Sequence, residues 1–171
     1  MADLTPVHDE VFASNQPWNP DRPHVLVVAC SDGRIQVNLD EFLDHHLGIQ
    51  HYDRVYLPGG PGALATSGVE YVRSDLHRRE LAFLLTAHVI EELLLIFHGP
   101  APDGPNEALC ADYVRIFGRA DANFIARMQE KDLAEICDLL KGKSPRVRIR
   151  GYRCEVGDNG SITFVEMKLA E

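Results

Sequence analysis

The chain has 171 residues, 45% hydrophobic and 25% charged, proportions that fit one soluble globular domain and exclude a disordered tail, a collagen-like chain or a coiled coil. Its 17 basic and 26 acidic residues give a formal charge of −9, which argues against a nucleic-acid or anionic-membrane surface. No apolar run approaches the roughly 20 residues that span a bilayer, and MADLTPVHDE lacks the basic and apolar parts of a secretory signal. Cys30, Cys110, Cys137 and Cys154 lie far apart, so they read as reduced thiols or metal ligands, and the expected compartment is the cytoplasm.

In chain order, residues 1–23 carry Pro6, Pro17, Pro20 and Pro23 and read as an N-terminal arm, loose or laid over a partner. A single domain is expected over 24–171. His24–Ala29, HVLVVA, is a valine-rich buried strand that breaks into Cys30-Ser31-Asp32-Gly33-Arg34. Val37–Leu47 has helical spacing. Arg54–Pro58 is a second strand, closed by the tight turn Gly59-Gly60-Pro61-Gly62. Ser67–Ile90 reads as one long helix with an apolar stripe of Val69, Val72, Leu76, Leu81, Leu84 and Leu85. Leu93–Phe97, LLLIF, is the most apolar strand and ends at His98. A Pro/Gly loop follows over Gly99–Pro105, then a helix capped by Asn106 and running to about Phe117, then another over Asp121–Leu140. Arg146–Cys154 and Ser161–Met167 alternate as a hairpin around Gly157-Asp158-Asn159-Gly160. Strands alternating with helices predict an α/β fold: a mainly parallel central sheet flanked by helices, with a C-terminal β-hairpin.

Sites in such sheets form at the carboxyl ends of strands, and two of the three predicted strand ends carry metal-capable side chains, Cys30 and His98. A thiolate is a strong zinc ligand. Asp32 either supplies a fourth ligand or accepts a proton from water at the metal, and Arg34 is placed to hold Asp32 by a bidentate, charge-assisted bond. The competing reading is a buried cysteine followed by an Asp–Arg pair that stabilises a turn. A histidine ending an apolar strand either satisfies its ring nitrogens within the protein or coordinates metal; beside Cys30, coordination is favoured.

Here the sequence resembles a family. Val27–Arg34, VVACSDGR, resembles the Cys-x-Asp-x-Arg signature of the β-class carbonic anhydrases. LLLIFH at 93–98 matches the start of their His-x-x-Cys motif, and Gly151–Val156 with Gly160–Val165 is similar to their closing hairpin. The resemblance covers roughly residues 24–168. It implies a β-carbonic-anhydrase-like fold with zinc held by Cys30, His98 and a second cysteine. It also implies hydroxide generated near neutral pH for attack on carbon dioxide, reversibly yielding bicarbonate. Asp32 and Arg34 would be the catalytic dyad, and the assembly a homodimer or higher homo-oligomer.

The sequence also departs from the family pattern. The family spaces its His and second Cys three positions apart, whereas His98 and Cys110 are twelve apart. Lengthening that loop fourfold costs only about 1 kcal/mol of closure entropy, against on the order of 10 kcal/mol for structural zinc. Energetics therefore admits Cys110. The predicted helix, however, sets it on an apolar face with Tyr113, Val114 and Phe117, so a core role and a ligand role both stand, with Asp103 or Asp32 as substitute ligands. Leu57-Pro58-Gly59-Gly60 replaces a polar family segment, and Gly33 stands where serine is common. Gly59–Gly62 lacks the Gly-Lys-Ser/Thr ending of a phosphate loop. His45, His46 and His51 read as exposed, and Cys137 and Cys154 as core residues. Two function classes follow: a zinc lyase or hydrolase acting on carbon dioxide or a sulfur analogue such as carbonyl sulfide or carbon disulfide, or a non-catalytic interaction protein on the same fold.

Overall fold

A computed structural model describes residues 11–66, 71–142 and 144–168. Among the described residues, five strands form one sheet: β1 (Val25–Cys30), β2 (Asp53–Leu57), β3 (Glu92–Pro100), β4 (Arg148–Val156) and β5 (Ile162–Met167). Their order is β2-β1-β3-β4-β5. The first four run parallel, and β5 returns antiparallel to β4 through a turn in which Gly160 N–H donates to Gly157 O at 3.0 Å. The helices are α1 (Gln36–Glu41), α2 (Tyr71–Ala87), α3 (Ala111–Phe117) and α4 (Ala122–Lys141). The expected α/β fold, with a mainly parallel sheet and a closing hairpin, is the one observed.

The side-chain period of two sorts the strand residues onto two buried faces. Leu26, Val28, Leu93, Leu95 and Phe97 pack with Leu81 and Leu85 of α2 and Ile125, Leu133 and Ile136 of α4. Val27, Ala29, Leu94 and Ile96 pack on the other face with Leu39, Leu43 and Tyr152. Every residue of β3 is buried, as expected of a central strand covered on both sides.

Several boundaries differ from the expected ones. The helix expected at Val37 starts earlier. A 3-10 turn, Gly33–Ile35, follows Asp32, whose side chain accepts from Arg34 N–H; α1 comes next and ends in wider π-type turns over Phe42–His46. In the long helix, Leu81 and Leu85 are buried, but Val72 and Leu76 face solvent. Val69 of the expected stripe lies outside the described residues. His98 is not a strand end, because β3 continues through Gly99 and Pro100. The segment expected as one helix from Asn106 is a 3-10 turn, Asn106–Ala108, then a break, then α3. Cys110 is therefore not inside a helix. It is the extended residue capping the start of α3, at φ −63° and ψ 117°. Residues 11–22 are exposed and form neither helix nor strand. No helix among the described residues is long and apolar enough to cross a membrane.

Candidate metal centre

The site is built where β1 stops. Beyond Cys30 the chain turns away, and Ser31 N–H donates to Leu57 O at 3.0 Å, tying the exit of β1 to the end of β2. The turn after β2 then crosses directly over it. Gly60 sits at φ +57°, and a Cβ there would lie 2.7 Å from the Cys30 backbone nitrogen, so only glycine fits. Gly60 thus lets the turn lie against the end of β1, while Gly59, at φ +84°, lies against the Asp112 side chain. Gln36 closes the other side: its amide donates to Cys30 O at 2.9 Å and to Asp32 O at 3.1 Å.

Three buried side chains converge in the space so framed. Ligand-capable atoms of Cys30, His98 and Cys110 lie within 4.8 Å of one another, and the two sulfurs are 4.0 Å apart. The last β1–β3 pair is Ala29 with Ile96, so β3 outruns its neighbour and His98 reaches past the end of β1. Cys110 arrives from the opposite side through the break before α3. Asp103 is exposed and lies apart from this group, along a surface cleft with Glu155 and Asp158. His45, His46 and His51 are exposed. Cys137 and Cys154 are buried in the same core cluster as Cys30 and Cys110 but do not belong to the convergent group.

The electrostatics of the cluster suit a cation. The hydrogen bond from Cys110 draws the Cys30 thiol well below the usual thiol range, against the opposing effect of burial, and the His98 ring adds to the lowering. Cys110 is pushed up, first by its bond to Cys30 and then by burial. The pair thus gives up one proton readily and holds the second, as a dithiol sharing one charge must. His98 Nε2 is buried with no hydrogen-bond partner among the described residues, a state that costs free energy unless something outside the chain fills it. Two thiols and an imidazole are a common zinc donor set. The residues present therefore fit zinc.

Asp32 and Arg34 stand at the rim. Arg34 Nε donates to Asp32 Oδ1 at 3.0 Å, and Nη2 donates to Oδ2 at 2.5 Å, a fork that engages both carboxylate oxygens. This bond holds the Asp32 carboxyl at about 2, with partial burial opposing. Arg34 Nη1 also donates to Glu107 O at 2.8 Å, joining the β1 loop to the segment that delivers Cys110. Sequence reasoning missed Gln36, Gln129 and Arg153, which bond to the carbonyls around the ligand-bearing residues. A signal existed for Gln129: it interrupts the apolar i, i+4 stripe of Ile125, Leu133 and Ile136 on α4.

No protein-family model matches the sequence, and no curated protein matches it. Solved structures resemble the fold at low identity. A carbonic anhydrase from Glaciozyma antarctica is 17% identical, with 87% of this chain and 84% of that one covered and a TM-score of 0.46. One from Streptococcus mutans is 18% identical, with 86% and 83% covered and a TM-score of 0.47. A β-carbonic anhydrase from the protozoan Trichomonas vaginalis is 14% identical, with 91% and 90% covered and a TM-score of 0.47. At such scores, what the protein does must come from the atoms around Cys30.

Proposed function

We propose that the protein is a zinc-dependent lyase of the carbonic anhydrase type, activating water for attack on carbon dioxide or a similar small linear molecule. The observation that carries this reading is the convergence of Cys30, His98 and Cys110 within 4.8 Å, beside an Asp32–Arg34 fork. The Cys-x-Asp-x-Arg resemblance supplies the substrate. Cys30, His98 and Cys110 would hold the metal. Zinc bound there would supply hydroxide at neutral pH, by lowering the pKa of water to near 7.

The chain's own groups do the rest. Asp32, held near 2 by Arg34, is ionised throughout the working range, so its oxygens accept a hydrogen bond from water and orient it without keeping the proton. Asp32 is not among the described residues whose ligand atoms converge within 4.8 Å, which argues against it as a fourth ligand in this arrangement. The turn after β2 presents the backbone of Gly60, and no side chain, to Cys30. Purified protein is expected to contain about one zinc per chain by elemental analysis and to hydrate carbon dioxide in a stopped-flow assay. Protein grown with zinc that takes up none tightly would overturn the reading and leave the non-catalytic alternative.

Assembly is part of the same proposal. Val11, Phe12 and Trp18 are 97%, 81% and 86% exposed, so a single chain leaves the apolar side chains of the arm in water. We assign the arm to the surface of a second copy and expect at least a homodimer. A concentration-independent monomer at micromolar protein in sedimentation would refute this. The free state of all four cysteines supports a cytoplasmic location.

A further inference from the structure

We propose that Gln129 and Arg153 form a clamp that positions His98 for metal binding, acting through the His98 main chain; the inference rests on reading Cys30, His98 and Cys110 as a metal centre. β3 runs four residues beyond its last pair with β1, and His98 lies in that overhang. A strand that outruns its neighbour leaves polar backbone groups to be satisfied by other means. Gln129 of α4, 1% exposed, donates from Nε2 to His98 O at 2.9 Å. Arg153 of β4 donates from Nη2 to Pro100 O at 3.0 Å. The carbonyls on either side of Gly99 are thus each held by a buried side chain.

The two residues also fix each other. Arg153 Nε donates to Gln129 Oε1 at 2.9 Å. A guanidinium has donors only, so the atom facing it must be the amide oxygen, and the amide NH2 is thereby turned toward His98. Arg153 therefore decides which way the glutamine points. Its own charge is met by Glu155, whose Oε1 lies 2.5 Å from Nη1. The path of Arg153 explains Gly99 as well: a Cβ there would come within 2.6 Å of Arg153 Nη2. An apolar residue at 129 would fill the same volume in the α4 stripe, but it would leave His98 O and Arg153 Nε unpartnered. A buried amide costs free energy unless bonded, and this one spends its donor on the strand that carries His98 and its acceptor on Arg153 of the neighbouring strand. Groups that support a metal ligand typically change affinity by about 10-fold to 100-fold when removed.

The test titrates full-length, metal-free protein with cobalt(II) and reads the thiolate-to-cobalt charge-transfer and visible d–d absorption. Wild type is expected to give the intense visible bands of a tetrahedral site. Gln129→Glu keeps an acceptor for Arg153 but removes the donor to His98 O. It should fold with wild-type circular dichroism, bind cobalt about 10-fold or more weakly and shift the d–d bands. Arg153→Lys keeps the charge beside Glu155 and loses the fork, and it should move affinity and bands in the same direction. Either variant that folds and retains wild-type affinity and bands overturns the clamp while leaving the metal centre standing. Wild type that binds no cobalt overturns both together.

Discussion

The core holds two pairs of buried cysteines with opposite fates. Cys30 and Cys110 are 80 positions apart in sequence, yet their sulfurs approach to 4.0 Å with His98 beside them. Cys137 and Cys154 are equally buried and, among the described residues, join no such cluster. Cys154 sits directly across from His98 in the β3–β4 register, yet it is not part of the cluster. Burial pushes the Cys154 thiol up to about 12 and raises Cys137, whereas Cys30 is lowered by its neighbours. Burial alone makes a cysteine an inert apolar side chain. A ligand needs a strand that stops short, a neighbour that overruns it and a third segment aimed back at both.

The sharpest way to break this contrast is to exchange sulfur for oxygen in each pair. Cys30→Ser and Cys110→Ser should each weaken zinc by more than about 100-fold, since losing a ligand exceeds losing its support. Cys137→Ser and Cys154→Ser should keep full stoichiometry by elemental analysis and lose only about 1–3 kcal/mol of stability in urea unfolding, the cost of a buried hydroxyl. A Cys110→Ser protein with unaltered zinc affinity would return Cys110 to the core.

A smaller effect is expected at Asp32 and Arg34, which the proposed function assigns to the reaction and not to the metal's grip. Asp32→Asn should lower carbon dioxide hydration by about 100-fold or more while zinc content stays at the wild-type level. Arg34→Ala should lower it less, by freeing the Asp32 carboxylate from its fork. Unchanged turnover in Asp32→Asn would remove Asp32 from the reaction.

The smallest effect is one of pH. Burial raises Cys154 above the ordinary 9.0. Its neutral thiol therefore contributes fully below pH 9, and that contribution is lost as pH rises toward 12. Cys154→Ala should flatten the fall in thermal stability between those limits. In metal-free protein, iodoacetamide followed by peptide mass spectrometry should label Cys30 before Cys154 at neutral pH. Labelling in the reverse order would contradict the contrast between the pairs.

How far these features could be read from the sequence follows from their physics. Cys30, Asp32 and Arg34 were legible because one local turn carries all three, at the end of an unmistakable valine run. His98 was legible for the same reason, although its strand proved longer. Cys110 was not, because its role depends on whether a helix starts at Asn106 or Ala111. That boundary is set by an extended backbone at Leu109 and Cys110, which no propensity dictates. The half-exposed stripe of α2 failed for a related reason: helical period shows that an apolar face exists, not that this chain alone covers it. Gln129 shows in the sequence only as a polar break in the apolar stripe of α4, while the carbonyls that it and Arg153 hold leave no trace in residue identity.

Helix α3, whose first residue follows Cys110, has only seven residues. A helix so short does not hold itself together in water. Two tethers attach it elsewhere: Tyr113 donates to the Asp132 carboxylate on α4, and Asp112 meets Arg73 on α2 at 3.0 Å. The wall of the site opposite the sheet therefore belongs to the helical layer and not to the strands. Amide exchange along α3 thus reports how tightly the two layers are latched, and slower exchange on adding metal would register the latch closing without any substrate present.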